Sequence, residues 1–386
     1  MIKRALILPK KPEESFFLWG PRLAGKSSLL KETYPDSVYI DLLNTNVCMQ
    51  YLNQPYKLRE ELIAATKKGI KQPVIIDEIQ KVPMLLDEVH WMIENLKLKF
   101  ALCGSSARKV RRGHANLLGG RAIRLELYGL TAYELRNDFD LVKLLNNGYF
   151  PKHYLSSRAK TLLHSYINNY LKEEIAQESL VRNIPSFSNF LTIAALSDTE
   201  IINYSNIARE CAVSNVTVKE HYQILEDTLL GRFLPSYTRR PKRRIVQAPK
   251  FYFSDIGVVN HLSNRGDIKP KSELFGKAFE NWVLHELNAY NIYKDKFFDF
   301  SYWRLTTGAE VDFIINDMEY AIEAKGSDNI TTNNLKGLRE IIKDHNKIKK
   351  RILVSLIERD RLTDDGINIL SVKSFVENLW SGKLIG

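Results

Sequence analysis

At about 150 residues per domain, a chain of 386 residues has room for two or three domains and several cores, which excludes a small scaffold held by disulfides. Hydrophobic residues make up 44% and charged residues 26%, the balance of an ordinary folded protein, which excludes a largely disordered or low-complexity chain. Lys plus Arg number 56 against 45 Asp plus Glu, a net charge of +11 with pI ≈ 9.3, so an anionic partner is expected, nucleic acid first and a membrane surface second.

The chain opens with basic residues around a short apolar run, Ala5 to Leu8, which is too short for the apolar core of a signal peptide. No later segment approaches the roughly 18 consecutive apolar residues of a membrane-crossing helix, so the expectation is a cytoplasmic protein with no membrane partner. Cys48, Cys103 and Cys211 are far apart, with no CxxC pair and no metal-ligand spacing, and read as reduced structural thiols.

Residues 1–140 alternate short apolar runs with helical patterns, as a parallel α/β sheet does. The candidate strands are Ser15–Trp19, Val38–Leu42, Val74–Ile76 and Phe100–Cys103. Between the first strand and a helical pattern lies Gly20-Pro21-Arg22-Leu23-Ala24-Gly25-Lys26-Ser27, which fills every fixed position of GxxxxGK[ST]. Backbone N–H groups at a helix N-terminus wrap a phosphate chain, and glycine permits their close approach. These residues and Ser28 are therefore the expected ATP cradle, with Lys26 neutralising the β and γ phosphates and Ser27 supplying a Mg²⁺ ligand.

The strand Val74–Ile76 runs into Asp77-Glu78. Asp77 is placed to hold the Mg²⁺ water shell and Glu78 to polarise the attacking water. Phe100–Cys103 ends in Gly104-Ser105-Ser106, where one of the two serines, with Ser105 as the candidate, would face the γ-phosphate. Arg121 follows Leu-Leu-Gly-Gly and precedes a further strand, Ile123–Leu127; it could stabilise phosphate charge in its own subunit or in a neighbouring one.

Residues 141–197 carry helical periodicity and read as a helical connector. In 198–264, Tyr204–Leu225 has the layout of a helix-turn-helix: Ile207, Ala208 and Cys211 pack the first helix, Val213 fills the turn, and Ser214 caps the second. The exposed face of the second helix would carry Asn215, Thr217, Lys219 and His221. A strand-like Arg232–Tyr237, a basic turn over Thr238–Arg244 and a strand-like Ile245–Gln247 complete a winged-helix pattern. Lys219, Arg239, Arg240, Lys242, Arg243 and Arg244 are its candidate nucleic-acid contacts, DNA being favoured. A protein-docking role is equally open.

Residues 265–386 read as helix, strand, strand, helix, strand. The helix over Phe275–Tyr290 places Glu280 at the edge of an apolar stripe. Two strands then carry Asp312 and Glu323-Ala324-Lys325; residues two apart in a strand share a face, so Glu323 and Lys325 point together, and a hairpin would bring Asp312 beside Glu323.

The phosphate loop, Ile-Ile-Asp77-Glu78-Ile-Gln, Leu-Cys-Gly-Ser-Ser, Leu-Gly-Gly-Arg121 and Leu130-Thr-Ala-Tyr-Glu134 together resemble the bacterial and archaeal AAA-type ATPases that carry a C-terminal domain with a restriction-endonuclease-like core. The resemblance continues through Pro249-Lys-Phe-Tyr-Phe-Ser-Asp255-Ile-Gly257 and Phe275-Gly-Lys-Ala-Phe-Glu280. It departs in Ser27, where threonine is commoner, with the hydroxyl kept. The resemblance implies ATP hydrolysis by the first domain. Asp312, Glu323 and Lys325, with Glu280, resemble a PD-(D/E)XK nuclease site, in which Glu280, Asp312 and Glu323 hold Mg²⁺ or Mn²⁺ and Lys325 positions the attacking water.

The expected architecture is thus an AAA-type P-loop domain (1–140), a helical connector (141–197), a winged helix-turn-helix (198–264) and a nuclease-like α/β domain (265–386). Two functions compete: a Mg²⁺-dependent ATPase that binds or cuts DNA, and a nucleotide-controlled binding switch for DNA or protein whose nuclease-like site is inactive. Oligomer formation is compatible with both.

Overall fold

A computed structural model describes residues 2–71, 73–106, 118–171, 183–239 and 243–386. The chain divides into two compact units, one comprising Lys3–Gly129 with Asp227–Leu229 and the other Leu130–Glu226 with Leu230–Gly386.

The first unit is built on β1 (Ser15–Trp19), β2 (Tyr39–Asp41), β3 (Val74–Asp77), β4 (Phe100–Gly104) and β5 (Ala122–Glu126), all parallel in the order β2-β3-β4-β1-β5. The three central strands are buried along their whole length, which is why they read as unbroken apolar runs rather than as alternation. β4 lies between β1 and β3, and Cys103 faces Leu18 on one side and Asp77 on the other. The strand ends carrying the phosphate loop, the acidic pair and the Ser105 hydroxyl are therefore neighbours. Helices Thr45–Asn53, Tyr56–Thr66 and Leu85–Leu96 cover the sheet, and Phe17, Trp19, Ile76, Met92 and Leu102 join Leu229 in its core.

The second unit begins with short helices at Ala132–Leu135, Leu141–Asn147, Pro151–Leu155 and Ala159–Ser165, followed by Ile184–Leu196. Helices Tyr204–Glu210 and Asn215–Asp227 come next. Ile207, Ala208, Cys211 and Val218 are buried, and Ser214 Oγ accepts from Thr217 N at 3.1 Å to cap the second helix.

The strand pair that follows differs from expectation. β6 (Gly231–Leu234) pairs antiparallel with β7 (Lys250–Phe253), and not with Ile245–Gln247. The segments flanking the basic turn instead bridge elsewhere, Ser236 to Tyr302 and Ile245 to Leu305. Phe251, Tyr252 and Phe253 bury far more apolar surface beside β6 than Ile-Val-Gln could, while Ile245 packs on the cluster around Trp303 and Leu305.

The six-stranded sheet has the order β12-β13-β11-β10-β9-β8, with β8 (Phe300–Arg304), β9 (Glu310–Ile315), β10 (Tyr320–Lys325), β11 (Lys350–Ser355), β12 (Arg361–Leu362) and β13 (Ile367–Ser371). β8–β9 and β9–β10 are antiparallel, while β10–β11 and β11–β13 are parallel. Helix Glu273–Tyr293 packs on β10 and is buried on more than one stripe, with Asn281, His285, Glu286, Asn288 and Asn291 inside. Glu286 Oε1 accepts from Ala132 N at 2.6 Å and Oε2 from Trp380 Nε1 at 3.0 Å, so its burial is matched by two donors. No helix among the described residues is long and apolar enough to cross a membrane.

Candidate functional site

At the end of β1 the chain turns through the phosphate loop into helix Lys26–Thr33. Gly25, at the N-cap, has φ +97°, a conformation that residues with a Cβ adopt only with strain. The Lys26 ammonium folds back over the loop and donates to Gly20 O at 2.8 Å and Pro21 O at 3.0 Å. It is held inside the cradle by carbonyls that a phosphate oxygen can outcompete. Arg4, which nothing in the motif predicts, braces the loop from outside: Nη1 donates to Ala24 O at 2.6 Å and Nη2 to Tyr128 O at 2.7 Å.

Ser27 Oγ donates to Asp77 Oδ2 at 2.6 Å, and Tyr39 OH donates to the same oxygen. Burial pushes the Asp77 carboxyl upward, but the hydrogen bonds from Ser27, Tyr39 and Cys103 and the charge of Lys26 outweigh it and hold Asp77 below its ordinary value. Asp77 is thus a carboxylate despite its burial. A hydroxyl and a carboxylate converging on one point form a hard oxygen donor set, the chemistry that Mg²⁺ selects.

Glu78 follows in the left-handed region, φ +60°. Gln80 Nε2 donates to Glu78 Oε2 and, at 3.1 Å, to Ser105 Oγ; Ser105 Oγ in turn lies 3.4 Å from Glu78 Oε2. Of the two serines, Ser105 is the one in contact with Glu78, whereas Ser106 Oγ contacts Asp227 O at 3.5 Å. Gly104 admits this arrangement: a Cβ there would meet Gln80 Oε1 and the Trp19 ring at 2.5 Å. Arg121 lies at the surface, where its Nε pairs with Glu94 and Nη1 donates to Gly119 O at 3.4 Å.

In the second unit the Lys219 ammonium sits 5.4 Å over the Tyr204 ring at the surface. His221, expected on the exposed face of its helix, is buried between Phe187 and Phe190, ring centroids 4.9 and 5.0 Å away. Burial lowers its pKa, so the ring stays neutral. Arg243 donates to Asp344 Oδ2 at 2.7 Å, to Glu340 Oε2 at 3.0 Å and to Glu340 O at 2.9 Å, and is committed within the chain. Arg239 pairs with Asp317 at 3.2 Å; Arg244 is exposed. Arg240 and Lys242 lie outside the described residues.

The four C-terminal candidates do come together, on a polar cavity of about 480 Å³. Asp312 Oδ2 accepts from Ala324 N at 2.9 Å, Asp312 N lies 3.4 Å from Glu323 Oε2, and Lys325 Nζ pairs with Glu323 Oε1 at 2.6 Å. A fifth residue, unforeseen, stands among them. Lys250, on β7, pairs with Glu310 at 2.6 Å, Glu280 at 3.0 Å and Asp312 at 3.6 Å, and Tyr252 OH donates to Glu280 Oε1 at 2.6 Å. Lys250 and Tyr252 are two apart on one strand and so share a face. Burial disfavours the Lys250 ammonium, but Glu280, Tyr252, Asp312 and Glu310 together hold its pKa well above the usual lysine value. For Glu280 and Glu323 burial dominates and moves both upward, with Asp312 adding to the shift and the lysines opposing it. Among the described residues, no three His, Cys, Asp or Glu side chains are arranged to hold a metal ion.

The first unit, with its parallel sheet, phosphate loop and acidic pair, has the construction of a P-loop ATPase domain, and residues 12–136 match the family described as AAA domain. This part of the chain is an AAA-type P-loop ATPase domain. Residues 138–269 and 275–375 match two families, DUF8612 and DUF4143, each described as a domain of unknown function. The chain is 23% identical over 319 residues to the uncharacterized protein Rv2008c of Mycobacterium tuberculosis, covering 80% of this chain and 69% of that one. It is 22% identical over 297 residues to an uncharacterized protein of Haemophilus influenzae, covering 69% and 72%. Among solved structures, the Walker-type ATPase PABY2304 of Pyrococcus abyssi aligns at a TM-score of 0.43 and 17% identity, covering 64% of this chain and 90% of that one.

Proposed function

We propose that the chain is a Mg²⁺-dependent ATP hydrolase whose nucleotide state controls a binding module, with DNA as the favoured partner and with a nuclease-like core that serves as scaffold. The observation that carries the hydrolase reading is the convergence of Ser27 and Asp77 beside the Lys26 cradle. Mg²⁺ bound there would neutralise charge on the phosphates and orient them. Lys26 leaves the Gly20 and Pro21 carbonyls for phosphate oxygens, Asp77 stays ionised beside Ser27, and Glu78, steadied by Gln80, accepts the proton of the attacking water. Ser105 adds a hydroxyl on the γ-phosphate side. Arg121 would act in trans only by leaving Glu94 for a neighbouring copy.

The two helices of 204–227, with Lys219 and Arg244 at the surface, and the net charge of +11 support a phosphodiester backbone as partner of the second unit. The pairing of Lys250 with Glu280, Glu310 and Asp312 favours a scaffold over strand cleavage. Cleavage is the second reading, supported by the proximity of Asp312, Glu323 and Lys325.

Phosphate release from ATP by wild type, Lys26→Ala and Glu78→Gln chains, with and without DNA, tests the reading. Turnover lost in both variants is expected. Turnover unaffected by Lys26→Ala would reject the site, and Mg²⁺-dependent cutting of labelled DNA that Asp312→Ala and Lys325→Ala abolish would replace the scaffold with a nuclease.

A further inference from the structure

We infer that the Lys250 ammonium is the resident cation of the C-terminal carboxylate cluster and that this cluster, as folded, takes no divalent metal. The inference deepens the scaffold reading of that unit and is independent of the ATP site.

A site for one or two Mg²⁺ ions needs two or three carboxylates with oxygens left over for the metal and for its waters. Here each acid already has a cationic partner. Glu280, Glu310 and Asp312 share Lys250, Glu310 also accepts from Arg304 Nη1 at 2.9 Å, and Glu323 pairs with Lys325. Asp312 Oδ2 is further engaged by Ala324 N, and Glu280 Oε1 by the Tyr252 hydroxyl. A dication in the cluster would face the Lys250 charge at close range, in surroundings where screening is weak.

The placement of Lys250 is not that of a surface lysine reaching an acid by chance. Its side chain is 4% exposed, and three acids from two elements surround the ammonium: Glu280 from the long helix, Glu310 and Asp312 from β9. A buried charge so placed persists only because opposite charges surround it. Lys250 and Tyr252 come from β7, so the strand that pairs with β6 supplies the counter-charge to a sheet to which it does not belong. A divalent ion between these acids would have to displace the Lys250 ammonium from Glu280, Glu310 and Asp312. The carboxylates that line the cavity are in this way balanced by a cation of the chain itself.

Mn²⁺ binding to the full-length, nucleotide-free chain, followed by electron paramagnetic resonance and by the melting temperature in EDTA, tests the inference. In a Ser27→Ala background, where the ATP site has lost its metal-directed hydroxyl, the chain is expected to bind no stoichiometric Mn²⁺ and to melt at one temperature with or without the ion. Lys250→Met is expected to gain a Mn²⁺ site and to be stabilised by the ion, and Asp312→Asn added to it should remove both effects. Should Lys250→Met not fold, the charge-balanced pair Lys250→Met with Glu310→Gln, which keeps Glu280, Asp312 and Glu323, is read with the same outcomes. Stoichiometric Mn²⁺ binding by the Ser27→Ala chain that Asp312→Asn abolishes would overturn the inference, whatever the Lys250 variants do. A folded Lys250→Met chain, or the balanced pair in its place, that binds no Mn²⁺ would also overturn it.

Discussion

Ser27 Oγ and Asp77 Oδ2, 50 residues apart in the chain, are joined by a hydrogen bond of 2.6 Å. The bond sets the two groups proposed to hold Mg²⁺ at one point, and the hydrogen bonds from Ser27, Tyr39 and Cys103 hold the aspartate below its ordinary value. Ser27→Ala should therefore reduce ATP affinity in Mg²⁺ while leaving affinity in EDTA nearly unchanged. About tenfold is expected from one charge-assisted contact. Titration of a fluorescent ATP analogue with and without Mg²⁺ measures both, and an equal loss in the two buffers would separate Ser27 from the metal.

Gln80 connects Glu78 to Ser105 and, on the hydrolase reading proposed above, is a positioning residue. Gln80→Met keeps the side-chain volume and removes both hydrogen bonds. The expected outcome is a kcat reduced by roughly tenfold to a hundredfold, less than the loss of a general base itself, with KM for ATP nearly constant and the acid limb of the pH–rate profile displaced. A change confined to KM, or an unmoved profile, would assign Gln80 to packing alone.

The basic turn separates into committed and uncommitted charges. Arg243 is held by Glu340 and Asp344, while Arg244 is exposed. On the DNA-binding reading, Arg244→Gln should lower the salt dependence of affinity by about 0.9 in log–log slope. Arg243→Gln should leave that slope as it is and lower the melting temperature instead. Fluorescence anisotropy on labelled DNA over a range of salt, beside thermal denaturation, distinguishes the two residues.

Burial raises Glu286 and Asp198, each to about 7, the bonds from Ala132 N and Phe253 N offsetting only part of it. In the unfolded chain such carboxylates release their protons near 4. Between those limits the folded state holds protons that the unfolded state has lost, so their contribution is complete below about pH 4 and is lost as pH rises through 7. The slope is on the order of 1.4 kcal/mol per pH unit for each group. His153, lowered to about 4 by burial, opposes them with one proton over part of that window. The melting temperature should fall from pH 5.5 to pH 7.5, and Glu286→Gln should flatten the fall while lowering the whole curve, since its amide N–H₂ would face the Trp380 N–H. An unaltered slope would mean that Glu286 is ionised throughout.

The candidate ATP site is legible in the sequence because its parts are local. Gly25, Lys26 and Ser27 follow from the needs of a phosphate chain at a helix start, and β1, β3 and β4 form within a residue or two of their apolar runs, because strands buried on both faces must be apolar throughout. The proximity of Asp312 and Glu323 was equally readable, since a hairpin and a period of two suffice for it. What no local pattern contains is which distant residue meets which. Gln80 reaching Ser105, Arg4 bracing the loop, Arg243 clasped by Glu340 and Asp344, and His221 turned inward between two phenylalanines were all decided by tertiary packing. Lys250 is the sharpest case: in the sequence it is one lysine among many, before an apolar Phe-Tyr-Phe. The choice of β7 over Ile245–Gln247 as the partner of β6 carries it into the carboxylates. Short-range spacing determined which chemistry each segment can offer; the competition among apolar runs for burial decided which of those groups stand side by side.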